Sequence, residues 1–247
     1  MNVRILGFFI LLFFTACSNE LRFESKEFTQ KSNLLCKENC TTIAIDIPYA
    51  SNHTVAADSI NRKVFNVVKD LVYVNEKPIE NNDYVALLNS FITTFESTRE
   101  EYPDSTFGWD AKIEGSIEYQ SDAIVNIEIN HYTFTGGAHG FEGKQSLLFD
   151  PKTGKKIANR SLFKEIPEFK KMVENKFRKK YNIPLKGNIN QTGCLFEDDA
   201  FQLPKNIFFK SDGLLLHYNQ YEAASYAEGP KTLFLPYTSI KKYLILK

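Results

Sequence analysis

"HYTFTGGAHGFEGKQSLLFDPKTGKKI", residues 131–157, decides the class of the chain. Aromatic and β-branched residues flank Gly136-Gly137-Ala138-His139-Gly140 on both sides, so strands should precede and follow the glycines. A phosphate-cradling loop would instead need a helix after the glycines, with its first amides aimed at the anion, and no Lys-Ser/Thr pair completes a Walker pattern here. The stretch therefore reads as a connection between strands whose glycines supply positive φ. His139 is then expected to hydrogen-bond local backbone; the competing reading makes it a base or a ligand. Asp150-Pro151-Lys152-Thr153-Gly154 closes a further turn, with proline presetting its second position.

Upstream, the period of two continues. Ile113, Gly115, Ile117 and Tyr119 alternate with Lys112, Glu114, Ser116 and Glu118. After Gln120-Ser121-Asp122, Val125, Ile127, Ile129 and His131 alternate with Asn126, Glu128 and Asn130. That is an antiparallel hairpin with one buried face, and Ser146 to Phe149 adds a third strand. Earlier still, Thr42 to Ile47 predicts a strand ending at Pro48. Helical stripes follow over Thr54–Val74 and from Tyr84, behind the capping cluster Asn81-Asn82-Asp83, to Pro103. Downstream, Pro167 opens a helix with Phe169, Met172, Val173 and Phe177 inward. Ile207–Phe209 and Leu214–Leu216 flank a glycine-bearing turn, and a strand near Leu233–Leu235 precedes a short helix from Tyr237. The class is α+β: a helical N-terminal subdomain with one or more strands over 33–108, then an antiparallel sheet domain with a packed helix over 109–247.

The first residues give the expected address. Met1-Asn2-Val3-Arg4 is a charged start, Ile5 to Phe14 is apolar, and Thr15-Ala16 precede Cys17. The apolar run is shorter than the roughly 20 residues that span a bilayer. With cysteine at the cleavage site it resembles a bacterial lipoprotein signal over 1–16, which makes Cys17 the lipid-attachment residue. By resemblance to known sorting signals, Ser18 rather than Asp after the cysteine favours the outer membrane in a two-membrane cell, facing the periplasm or the surface. Residues 17–32 then read as a polar tether. Export implies an oxidising compartment, in which Cys36, Cys40 and Cys194 allow three pairings; the expected one closes a small ring between Cys36 and Cys40 and leaves Cys194 unpaired. No metal or cofactor is expected, because there is no second cysteine pair and no histidine at ligand spacing. Thirty Lys+Arg balance thirty Asp+Glu, so no electrostatic case exists for nucleic acid.

Tyr132 to Gly140, Leu148 to Lys155, Ser161-Leu162-Phe163, Phe208 to Tyr218, Gln220 to Pro230 and Leu235-Pro236-Tyr237 together resemble a known envelope domain. It is shared by lysozyme-sensing anti-sigma factor ectodomains and the accessory regions of peptidoglycan deacetylases. The resemblance covers about residues 110–245, and the strand and helices of 41–103 look like the smaller domain that precedes it. It implies an envelope module, possible partners being a lysozyme-like protein or peptidoglycan. Neither a sigma-binding segment nor a polysaccharide-deacetylase domain is seen in this sequence, so neither activity is carried over. No Gly-x-Ser-x-Gly elbow is present. Tyr221, Glu222 and Tyr226, beside a Gly-Pro turn, are candidate contact residues with His139, since tyrosine supplies contact area at low entropic cost.

The expectation is thus a monomeric, lipid-anchored, non-catalytic binding module. The alternative is an envelope hydrolase or deacetylase accessory with a cryptic site near His139. Replacing Cys17 with Ser should remove the acyl acceptor. Metabolic labelling should then find no palmitate on the variant, and a labelled variant would refute the anchor.

Overall fold

Two stripes of apolar residues at helical spacing and a run of alternating strands have to bury their faces against each other. In a computed structural model, which describes residues 21–36, 40–72, 83–104 and 107–245, they do so in two layers. Strands β1 (Phe23–Lys31), β2 (Thr42–Ala50), β3 (Asp110–Gln120), β4 (Val125–Phe134) and β5 (Phe141–Phe149) form one sheet in that order. Helices α1 (Val55–Val72) and α2 (Tyr84–Glu101) pack on it. The Asp83 carboxylate caps α2 by accepting from the Ala86 N–H at 2.8 Å. Ile43, Ile45, Ile47, Val64, Phe91, Ile113, Val125, Ile127 and Ile129 meet in this first core. The α+β class read from the sequence is the class observed.

Two boundaries differ from the sequence reading. The stretch 17–32 is not tether throughout: β1 occupies Phe23–Lys31 and pairs antiparallel with β2. Its alternation is weak because it is an edge strand, with one neighbour and mostly exposed polar side chains. The division at 108/109 also fails, since it runs between two strands of one sheet. β2 pairs parallel with β3, from Thr42 beside Asp110 to Asp46 beside Glu114. Cores divide later. The first ends at Phe149, and most of the second comes from residues after it.

That second core collects around α3 (Ile166–Lys180) and the sheet β6 (Asn206–Phe209), β7 (Gly213–Tyr218), β8 (Lys231–Pro236), closed by the short helix α4 (Tyr237–Ile240). Phe169, Val173 and Phe177 point inward from α3; Phe177 meets Tyr218, Phe196 and Phe201 ring to ring. Cys194 is buried here as a free thiol, and burial pushes its pKa up. Cys36 and Cys40 are joined as a disulfide with Cα atoms 5.4 Å apart.

Asparagine side chains join the two sheets. Ser146 N–H on β5 donates to Asn206 Oδ1 at 2.9 Å, and Ser146 Oγ donates to the Ile207 carbonyl at 2.6 Å. Asn126, fully buried on β4, accepts from Phe209 N–H at 2.8 Å and donates to Ser146 Oγ at 3.0 Å. Asn219 pairs with both backbone groups of Lys144, accepting at 2.9 Å and donating at 2.8 Å. Asn126→Ala would strand the Phe209 N–H away from water, and each such group costs about 1–3 kcal/mol. Urea unfolding should show the midpoint falling accordingly; a loss below about 0.5 kcal/mol, the range of ordinary surface changes, would show that the junction does not depend on it.

Candidate functional site

The β4–β5 connection carries the quoted glycines. Gly136 and Gly137 have φ of 104° and 96°, and a Cβ at either would meet nothing within 4 Å. Backbone conformation, not crowding, therefore demands glycine there. His139 is exposed, and its Nδ1 lies 2.9 Å from the Gly140 carbonyl oxygen, so Nδ1–H donates to its own turn. Its ring stacks on Tyr226 at 4.2 Å and 24°. Tyr221, at a φ of 64°, stands 6.0 Å beyond Tyr226. The fold thus brings together three of the four candidate contact residues, from loops that are far apart in sequence.

Glu222 is the exception. Its carboxylate turns into the loop and accepts from Lys205 N–H at 2.6 Å and Asn219 N–H at 3.0 Å. Burial raises its pKa, opposed by those two backbone bonds. It shapes the loop that carries Tyr221 and Tyr226.

His139 also borders a groove of about 440 Å³ that the sequence reading did not anticipate. Phe107, Trp109, Tyr132 and Phe134 line it, with Thr42 and Asp110 as polar groups. Phe91 and Phe95 hold Trp109 from the core side, at 5.6 and 5.8 Å between ring centres. Phe107 meets Phe134 edge to face at 6.3 Å. Gly140 gives the Tyr132 ring its place, because a Cβ there would lie 2.6 Å from the phenol oxygen. Thr42 Oγ1 donates to Asp110 Oδ1 at 2.8 Å. No periodicity announces such a groove; Phe107 and Trp109 are single aromatics beside the start of a strand.

A second, smaller cavity of about 260 Å³ lies where β4, β5 and the end of β7 meet. His131 and His217 line it, each 5% exposed. His217 alternates with Leu214, Leu216 and Tyr218 along β7 and so faces away from them, and the inter-sheet joint buries it all the same. His217 Nε2 lies 3.0 Å from Asn219 Oδ1, which already accepts from Lys144 N–H, so Nε2 carries the proton. The charged groups nearby are Lys144, Glu142 and Glu128, and Lys144 Nζ pairs with Glu128 at 2.7 Å. Among the described residues, no three His, Cys, Asp or Glu side chains converge as metal ligands. A larger cavity, about 650 Å³, lies elsewhere, between Leu21, the start of α1 and the β3–β4 turn. Cys17 and the signal segment 1–16 lie outside the described residues.

Both buried histidines are held below their ordinary pKa, chiefly by desolvation. The unfolded chain then binds more protons than the native one just below about pH 6.5. Their contribution to stability is complete above that value and falls as the pH drops through it, by up to about 1.4 kcal/mol per pH unit for each histidine. Glu128, whose pKa is lowered, loses its contribution only in the lower carboxylate range. Thermal melts should therefore weaken between pH 7 and pH 5 (about 6.5 being the unfolded histidine value), and His131→Phe should flatten that slope. A flat wild-type profile would contradict the burial argument.

Residues 35–142 match the family described as "Deacetylase PdaC", and residues 157–238 match "Protein of unknown function (DUF3298)". No curated protein matches the chain. Among solved structures, a DUF3298 family member from Bacteroides fragilis superposes with a TM-score of 0.69 at 18% identity, covering 91% of this chain and 93% of that one. A DUF3298 family protein from Pseudomonas aeruginosa gives 0.61 at 18% identity, covering 92% and 94%. These structures share the fold. Among the described residues, no helix is long and apolar enough to cross a membrane. The two family matches and the shared fold together support a DUF3298/PdaC-type domain of the cell envelope.

Proposed function

We propose that the chain is a lipid-anchored, non-catalytic binding module that presents its aromatic groove to the glycan of peptidoglycan. The family matches point to an envelope module of the deacetylase-associated, accessory kind. The observation that carries the finer reading is the row of accessible rings. Phe107 is 58% exposed, Tyr221 54% and Tyr132 37%, and the His139–Tyr226 stack lies alongside. A sugar ring has an apolar C–H face that packs on such rings, and its hydroxyls need partners of the kind Thr42 and Asp110 supply at the groove. Apolar surface left open on a folded chain is costly unless something uses it.

The alternative, a cryptic hydrolytic site near His139, needs a carboxylate and a second histidine to converge there. His139 instead contacts Tyr226 and its own turn, while His131 and His217 line a different cavity. Anchoring through Cys17 would keep the module at the membrane, with the outer membrane favoured by Ser18.

Purified sacculi should pellet the exported protein. Phe107→Ala and Tyr226→Ala should each weaken binding roughly tenfold, the size of an aromatic anchor worth about 1.4 kcal/mol. Unchanged pelleting of the double variant would sink the groove. Binding to a lysozyme-like protein without binding to sacculi would replace peptidoglycan as the partner.

A further inference from the structure

The groove beside His139 contains one carboxylate that the described residues do not neutralise. Of the described side chains that line it, Asp110 alone is acidic, and no lysine or arginine is among them. Thr42 Oγ1 donates to Asp110 Oδ1 at 2.8 Å and fixes how the group points, while the described residues offer Oδ2 no partner. Asp110 is half-buried, and Oδ2 is not one of the buried atoms left without a partner, so it is open at the groove. Lys112, the next side chain on this face of β3, is already paired with Glu114 at 2.8 Å. Lys31, opposite Thr42 on β1, stands one strand further away, and Glu142, opposite Tyr132 on β5, adds a negative group.

Aromatic rings surround the same carboxylate. Phe134 is directly opposite Asp110 in the β3–β4 ladder, and Tyr132 is the next side chain on that face of β4. Opposed side chains begin about 4.5–5.5 Å apart at Cβ, and a cation is drawn to a ring whose centre lies within about 6 Å. An ammonium bound to Asp110 is therefore within reach of Phe134. The face of an aromatic ring is electron-rich, so rings and carboxylate present one sign of potential to a ligand. A neutral acetamido group answers neither; a protonated amine answers both.

We propose that the groove selects the protonated amine of a sugar whose acetamido group has been hydrolysed, with Asp110 setting the specificity. This rests on the groove being the glycan site and adds which glycan it takes. The ammonium would pair with Asp110 Oδ2, and the sugar ring would pack on the exposed Phe107 and Tyr132. Amide hydrolysis is the class of reaction that supplies such a sugar: water cleaves the C–N bond, acetate leaves, and the ammonium stays on the ring.

Trp109 is the chain's single tryptophan and lines the groove, so its fluorescence reads the site directly. The full exported protein is titrated with the glucosamine trimer, amines protonated, and with the N-acetylglucosamine trimer. The first should bind about tenfold more tightly, the ratio that 1.4 kcal/mol represents. High salt should shrink that ratio, because screening weakens an ion pair and leaves shape recognition alone. Asp110→Asn keeps an oxygen for Thr42 and should bring the two affinities close together. Equal affinities in the wild type, or a preference that survives both salt and Asp110→Asn, would overturn the selection of the amine and leave the groove a glycan site. Lysine amide competing as well as the glucosamine trimer would overturn the sugar as the source of the amine. Silence of Trp109 with both trimers would overturn the specificity, and sacculus pelleting of the Phe107→Ala, Tyr226→Ala double variant would then tell whether the groove falls with it.

Discussion

The structure depends on a substitution of side-chain amides for backbone ones. β5 ends the first sheet, and its outer N–H and C=O groups need partners once the second sheet covers them. β6 and β7 do not continue the ladder. Instead, Asn206 accepts from Ser146 N–H, and Asn219 takes both backbone groups of Lys144. Asn126 reaches across from β4 to the Phe209 N–H. An asparagine side chain carries the same donor and acceptor as a peptide group, so it can finish a strand edge where no strand is in register. The joint is polar, buried and satisfied, and networks of that kind specify one arrangement of parts more sharply than apolar contact does.

The same joint explains what surrounds it. Ser146 lies beside Glu128 on the neighbouring strand, and Glu128 is only 6% exposed. A carboxylate so buried needs its charge answered, and Lys144 does so at 2.7 Å. Glu118 and Lys210 form a second ion pair across the sheets, beside the Tyr119–Phe209 contact. His131 and His217 are trapped at the end of this seam, where packing excludes water without completing every hydrogen bond. The seam thus creates both the stability of the two-sheet arrangement and the imperfect cavity beside it.

Much of this was legible in the sequence because it is local. Hairpins announced themselves by alternation, helices by their stripes, and the Gly136-Gly137 connection by strands on either side. Non-local features were not legible. β1 has too few apolar residues to look like a strand, because edge position leaves it little to bury. The parallel pairing of β2 with β3 joins residues nearly seventy positions apart, across two helices, and made a false boundary look natural. Asn126 sits among outward-facing polar residues by its spacing, yet it is fully buried because a second sheet lies on that face. For the site, Tyr221, Tyr226 and His139 stand out in the sequence only separately, by composition and turn chemistry. Their convergence, and the Phe107–Trp109 groove beside them, needed the fold.

Strand direction gives the proposed groove its setting. Gln120, at the end of β3, donates to the Leu21 carbonyl at 2.9 Å, so the N-terminal segment enters at that end of the sheet. Trp109 and Asp110, at the start of the same strand, belong to the groove. Eleven residues in β3, at about 3.3 Å each, put roughly 30 Å between the two ends. If Cys17 bears the lipid, only Ser18, Asn19 and Glu20 intervene before Leu21, a reach of at most about 14 Å even when extended. So short a link leaves the domain little freedom to turn over. With that anchor, the end with Leu21 would stay near the bilayer, and the groove, at the opposite end of β3, would lie farther from it. A module anchored in that way would owe the placing of its aromatic rings to the direction in which β3 runs.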